Sequence, residues 1–296
     1  MRFGIWASLL TLAGCSALPA GLAGATPTPS VTPSPPSATP QPLAARVNGT
    51  PILLSDYQAE VARFEAAKAQ LGIDLATLGD YRGQVLQALI DRRLLALGAE
   101  ASGVRIDPAA LDGKLEELAA EMGSNEAMGA WMAANDYSAD SFRAALQEEL
   151  LAAQMVSQIV AAVPSTAEQV HARHLLVATR TEAEDLLRQL ATGADFAELA
   201  RSYSLDLSTR PAGGDLGWFP RRYLTVPEVE AAAFDLQPGD LSAIVESSLG
   251  FHIVQTLERG ERPLSPHALR HLQTLAVQDW LQTQRQTAVI EILVVP

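Results

Sequence analysis

Four short apolar blocks constrain this chain more than any other feature. HLLV at 174–177, GGDLGWF at 213–219, AAAF at 231–234 and GFHIV at 250–254 follow one another within about a third of the sequence. Apolar runs of this length are strand cores or single helical faces. Gly213-Gly214 is a turn signal leading into Leu216–Phe219. His171–Ala178 and Phe251–Leu257 read as strands, and Thr181–Leu190 and Asp195–Ser202 as short helices. The segment therefore predicts a small sheet with short helices, with a histidine in its first and last strands.

The residues before Pro164 follow a different rule. AARVNGTPIL at 44–53 reads as a strand or hairpin around Asn48-Gly49. Ser55 is expected to cap a helix through about Gln70. Val85, Leu86, Leu89, Ile90, Leu94, Leu95 and Leu97 give a second helix, near 80–101, with a broad buried face. Asp107-Pro108 opens a third, through about Glu121, with proline at the first helical position. Ser138 caps a long helix that runs to about Ala162. At the far end, Ser265-Pro266 starts a helix that continues to about Ala288. The chain closes with the β-branched run VIEILVV at 289–295. A lone apolar terminal strand is an aggregation hazard unless paired, so it is expected to pair with the 45–53 strand and close one domain from both chain ends.

The N-terminal residues predict export. Arg2 precedes a short apolar stretch, Ile5–Ala13, that ends at Leu12-Ala13-Gly14-Cys15. The stretch is too short for a stable membrane span and reads as a signal peptide over residues 1–14. Cys15 is the sole cysteine, so no internal disulfide can form, and it is the expected lipidation site. Residues 26–42 hold seven prolines and seven Ser or Thr among seventeen positions. This composition favours extended polyproline II and makes 15–43 a linker. At roughly 3.1 Å per residue it would reach about 50 Å.

Taken together, the four blocks resemble the parvulin (rotamase, PpiC-type) family of peptidyl-prolyl isomerases. The resemblance covers residues 166–260. The arrangement as a whole resembles the SurA- and PrsA-like extracytoplasmic foldases. It implies an α+β architecture in which a parvulin domain, a small antiparallel sheet flanked by short helices, is inserted in a mostly α-helical chaperone domain built from both chain ends. The expected boundaries are 44–164 for the helical domain, 165–260 for the parvulin domain, and 261–296 for a C-terminal helix and strand packing on the helical domain. His174 and His252 match the family's two histidines and Asp206 its acidic position, a catalytic set. Leu216, Leu224, Val229 and Phe234 would form the substrate-binding cup for proline, and Ser247 would join the histidine network. The resemblance implies no cofactor and no metal.

Charge excludes other partners. The formal net charge is −13, and the acid is spread through both halves: 9 basic against 17 acidic residues in 44–164, and 8 against 14 in 165–260. With no basic patch, nucleic acid is not an expected partner. An acidic body held by a lipid at Cys15 would also stand off an anionic membrane. The expected clients are unfolded or partly folded secreted polypeptides containing X–Pro bonds. His267 and His271 lie four apart but lack a third ligand, and Gly213-Gly214 is followed by no phosphate-loop lysine. Two rival readings remain open at this stage: a catalytically inactive holdase, and a solute-binding lipoprotein of a transporter. The second would require repeated strand–helix units, which the run of helices in 55–162 does not provide.

Overall fold

The computed structural model describes residues 41–294, so the signal-like segment, Cys15 and all but the last three residues of the expected linker lie outside the described residues, and the last of those three, Leu43, already belongs to a strand. The described residues divide into two compact units: one of 41–152 with 288–294, the other of Ala153–Thr287.

In the first unit, β1 (Leu43–Val47) and β2 (Thr50–Leu53) form a hairpin whose turn places Asn48 and Gly49 at positive φ, 49° and 81°. Asn and Gly are the residues that tolerate this turn. Four main helices follow, α1 (Leu54–Gln70), α2 (Tyr81–Ala101), α3 (Pro108–Glu121) and α4 (Asn125–Ala134), and then the start of α5 (Ala139–Ala161). Asp107 caps α3 through the Ala109 amide, and Ser138 accepts from the Ser141 amide at the head of α5. Ser55 is not a cap. β2 runs straight into α1, the Leu54 amide donates to the Pro42 carbonyl, and Ser55 lies inside the helix. The core of this unit is the apolar stripe of α2, with Leu86, Ile90 and Leu94 at most 2% exposed.

The C-terminal strand behaves as its composition requires. β7 (Ile290–Ile292) pairs antiparallel with β1, giving the sheet order β2-β1-β7. Asn48 fixes the join: its amide donates to the Val289 carbonyl, and its side chain accepts from the Val289 amide.

The second unit is built on a four-stranded antiparallel sheet of order β4-β3-β6-β5. Its strands are β3 (Thr166–Val177), β4 (Asp215–Pro220), β5 (Val245–Ser247) and β6 (Gly250–Pro263). The central pair, β3 and β6, is longer than the apolar runs that signal it, extending through polar residues to Thr166↔Pro263. Two cores flank the sheet. On one face Leu175, Val177 and Ile253 pack on α6 (Arg180–Ala191) and α7 (Phe196–Tyr203). On the other, Val170, Ala172 and Val254 pack with Phe219 against Val229, Ala233 and Phe234 of α8 (Pro227–Asp235). Alternation along a strand sends His174 and Leu176 to the face opposite Leu175 and Val177.

The C-terminal helix α9 (Pro266–Thr287) corrects one expectation. It groups with the sheet unit rather than with the helical domain. The reason is polar. Asp279 takes both guanidinium nitrogens of Arg222, the His271 ring nitrogen Nε2 donates to the Arg222 carbonyl, and the Tyr223 hydroxyl bonds His267 Nδ1 at 2.8 Å.

Candidate active site

His174 on β3 and His252 on β6 share one sheet face. In the strand register His252 stands opposite Leu176, two residues along from His174. Their rings lie nearly parallel, 17° apart, with Nδ1 facing Nδ1 at 3.3 Å. His252 is fully buried and His174 is 6% exposed. The His174 main chain is fixed from the turn that leads into β4: its amide donates to the Gly214 carbonyl at 2.8 Å. Gly214 has φ +83°, and a Cβ there would fall 2.0 Å from the His174 carbonyl oxygen. Only glycine fits this crossing.

A hydrogen-bonded chain runs through the pair. His174 Nε2 is 2.7 Å from Asp206 Oδ2 and 3.2 Å from Thr209 Oγ1. The Thr209 hydroxyl donates to the same Asp206 oxygen at 2.6 Å. Asp206 Oδ1 accepts the Ser208 hydroxyl at 2.6 Å and the Ser208 amide at 3.0 Å. At the other end, Ser247 Oγ sits 2.7 Å from His252 Nε2 and accepts the Leu249 amide at 3.1 Å.

A carboxylate only accepts, so His174 carries a proton on Nε2 and donates it to Asp206. One proton is shared between the two facing Nδ1 atoms, and the Ser247 hydroxyl closes the other end on His252 Nε2. Burial, reinforced by the neighbouring His174, pushes the His252 pKa down to about 4. Partial burial would raise the Asp206 carboxyl, but hydrogen bonds from Ser208, Thr209 and His174 together outweigh it and hold it well below the usual carboxylate range. The site therefore presents a fixed anion beside a hydrogen-bonded pair of imidazoles, of which His252 resists protonation.

This arrangement carries a stability cost in acid. An unfolded chain takes up a proton on His252 near its ordinary 6.5, whereas the folded one does so only near 4. Stability is expected to fall progressively between these values, by up to about 3 kcal/mol. Below roughly pH 4 the unfolded chain also protonates Asp206 before the folded one does, and the loss continues. Urea midpoints at several pH values check this, and His252→Asn should flatten the upper part of the curve. An equal pH dependence in the variant would contradict the account.

Above the histidines lies a cleft of about 510 Å³. His174, His252 and Asp206 line one side, and Leu216, Leu224 and Val229 the apolar side. Phe234 does not reach it. It lies behind Val229 in the core, edge-to-face with Phe219 at 6.0 Å. Leu224 is placed by an anchor that a linear reading does not reveal. The Glu230 carboxylate accepts three successive amides, those of Arg222 (2.6 Å), Tyr223 (2.8 Å) and Leu224 (2.9 Å). Arg222 has φ +65°, which turns its amide towards the carboxylate. Loss of this anchor should free the cup's lip rather than the fold. Glu230→Ala is expected to raise the KM for a proline peptide by about three- to tenfold, with a smaller fall in kcat. Steady-state kinetics on the variant check this, and an unchanged KM would show that Glu230 does not position Leu224.

With the geometry in hand, comparison with known families is decisive for this unit. Residues 159–258 match the model of the PPIC-type PPIASE (rotamase) domain, and residues 20–156 that of the SurA-like N-terminal domain. Residues 159–258 belong to the rotamase family. Among curated relatives, the foldase protein PrsA of Caldanaerobacter subterraneus is 47% identical over 30% of this chain and 29% of its own length. The foldase protein PrsA of Halalkalibacterium halodurans is 31% identical over 60% of this chain and 58% of its own. The chaperone SurA of Dechloromonas aromatica is 36% identical over 47% of this chain and 35% of its own. The chain thus spans about a third of the length of the first two curated relatives named for foldase and chaperone roles.

Within the rotamase domain, His174, His252, Asp206 and Ser247 converge in one hydrogen-bonded chain, and Leu216, Leu224 and Val229 face the same cleft. Phe234 supports the cup from behind. Ser208 and Thr209, which saturate Asp206, escaped the sequence reading as site residues. Their signal was the Asp-x-Ser-Thr spacing of a local turn, and the turn and the site turn out to be the same feature. His267 and His271 bond Tyr223 and Arg222 and so brace the cup's lip.

Proposed function

We propose that this chain is a peptidyl-prolyl cis–trans isomerase and folding chaperone for secreted polypeptides, acting outside the cytoplasm and tethered to the membrane by lipid on Cys15. One observation carries the enzymatic part: a cleft with an apolar wall of Leu216, Leu224 and Val229, roomy enough for a prolyl ring and its neighbours, faces a hydrogen-bonded His–His–Asp network. Rotation about an X–Pro bond must cross a barrier of roughly 18–20 kcal/mol imposed by amide resonance, and no covalent bond has to break. Leu216, Leu224 and Val229 hold the ring and dry the amide. Drying disfavours the planar, more polar form relative to the twisted one. The Asp206 carboxylate repels the carbonyl oxygen of the planar amide and favours its departure from the plane. The histidines keep that carboxylate and the cleft floor in place and pass no proton to the substrate.

The SurA-like helical half supports the chaperone part, and the foldase and chaperone names of the relatives agree with it. The signal-like segment and Cys15 support export and tethering. Two assays with the full chain test the reading. In the first, refolding of a protein limited by prolyl isomerisation should speed up in proportion to added chain. In the second, aggregation of an unfolded client should be suppressed. Suppression without acceleration would replace the isomerase by the holdase reading. Labelling with a radioactive fatty acid, lost in Cys15→Ser, tests the anchor.

A further inference from the structure

A second concavity adjoins the proline cleft. It encloses about 260 Å³ between α6 and the segment after α7, with Val177, Leu186, Tyr203 and Leu205 as apolar walls and Glu182 and Asp185 at its lip. Leu205 lines both this groove and the cleft. Its amide donates to the Leu176 carbonyl at 2.7 Å, so the ridge between the two hollows is tied to the end of β3.

The surface around this ridge is apolar without an internal reason. In the second unit the large apolar side chains that are more than half exposed are Tyr203, Leu205, Leu207 and Leu249. All four line the groove or the cleft. Scattered exposed apolar residues need no explanation, whereas a contiguous patch at a cleft mouth marks a binding surface. The charge at the groove has one sign. Glu182 and Asp185 are its charged lining residues, and no cation lines it. Each carboxylate already has a local partner, the Thr179 cap for Glu182 and the neighbouring Arg188 for Asp185. The Asp185–Arg188 pair is exposed, and such pairs exchange partners at little cost.

We propose that this groove is a second client subsite that takes a lysine or arginine side chain of the same polypeptide that offers its proline to the cleft. The proposal rests on reading the cleft as the proline site. A basic side chain suits both halves of the groove. Its aliphatic stem lies along Leu186 and Leu205, its head reaches Glu182 and Asp185, and the Tyr203 ring adds a face for the cation. The two hollows share Leu205 as a wall, so a short extended stretch of chain, rising roughly 3.3–3.6 Å per residue, reaches from one to the other. The basic residue is therefore a few positions from proline, distinct from the residue directly before it.

The test uses the full chain and fluorescein-labelled peptides with one proline in an Ala/Ser background. A single Lys, or a Glu in its place, is stepped through the positions on both sides of the proline. Anisotropy gives Kd, and exchange spectroscopy gives the isomerisation rate. At one or two positions Lys should bind about tenfold more tightly than Glu, and about 0.5 M salt should shrink the difference. The double variant Glu182→Gln/Asp185→Asn should remove most of it and leave the Lys-free peptide unchanged, while Asp185→Lys should favour Glu. Equal affinity for Lys and Glu peptides at every position would overturn the proposal, as would a preference that survives in the double variant. If the Lys-free peptide binds without acceleration, the isomerase reading fails, and the anisotropy comparison still decides the groove.

Discussion

Gly214→Ala is expected to destabilise the rotamase unit by about 3 kcal/mol or more and to abolish most of its activity. Two effects add. An alanine at φ +83° costs on the order of 1 kcal/mol for its backbone conformation alone. Its Cβ would also stand 2.0 Å from the His174 carbonyl oxygen and 3.3 Å from Ala200 Cβ. The first contact is with backbone, which cannot rotate away, so β3 and β4 must separate at the position that carries His174. Overpacking of this kind costs about 1–3 kcal/mol or more. Gly217→Ala is the control: its φ is +70° but no atom lies within 4 Å of the added Cβ. It should show the conformational cost without the clash. Thermal midpoints and exchange rates of the two variants, side by side, separate the effects. Similar behaviour of both would mean that the crossing of Gly214 over His174 is not what positions the histidine.

Replacing Asp206 has the largest effect expected on chemistry alone. Asp206→Ala removes the anion that faces the cleft and strands four donors, His174 Nε2, Thr209 Oγ1, Ser208 Oγ and the Ser208 amide. A loss of about ten- to a hundredfold in kcat/KM corresponds to roughly 1.4–2.7 kcal/mol of transition-state stabilisation. Asp206→Asn separates charge from shape. Its amide can accept from His174 or from the Thr209–Ser208 side, but it carries no charge to repel the carbonyl. If repulsion matters, Asn should lose nearly as much rate as Ala while retaining more stability. If Asn keeps wild-type rates, Asp206 acts only by holding His174, and the carbonyl-repulsion step is wrong.

Much of this was legible in the sequence because it is local or periodic. Short apolar runs in HLLV and GFHIV placed both histidines on strands. The β-branched tail at 289–295 had few stable fates other than pairing near residue 45. Asp107-Pro108 and Ser138 signalled their helices through backbone capping, a short-range effect. What stayed hidden depends on distance or on competition. Glu230 reads as an ordinary helical carboxylate, and its role exists only where the 222–224 turn folds back over it. The partner of α9 was misjudged because its apolar face alone does not say which surface it meets. Ion pairing and imidazole contacts from Asp279, His267 and His271 decide it. α4 was missed because NEAMGAWMAA contains a glycine and buries none of its residues. Ser55 looked like a cap, but the strand before it needed no break.

The central claim is that the His174–His252–Asp206 cleft itself accelerates rotation about an X–Pro bond. Exchange spectroscopy on a short Ala-Pro peptide, with catalytic amounts of the full chain and with its His174→Ala variant, tests it most directly. The account predicts cis–trans exchange far above the spontaneous rate, which is slower than once in ten seconds or so. It also predicts a loss of at least about tenfold in the variant under conditions where its circular dichroism shows that it remains folded. Exchange at the spontaneous rate with the folded wild-type chain would contradict it, as would acceleration that the variant retains in full.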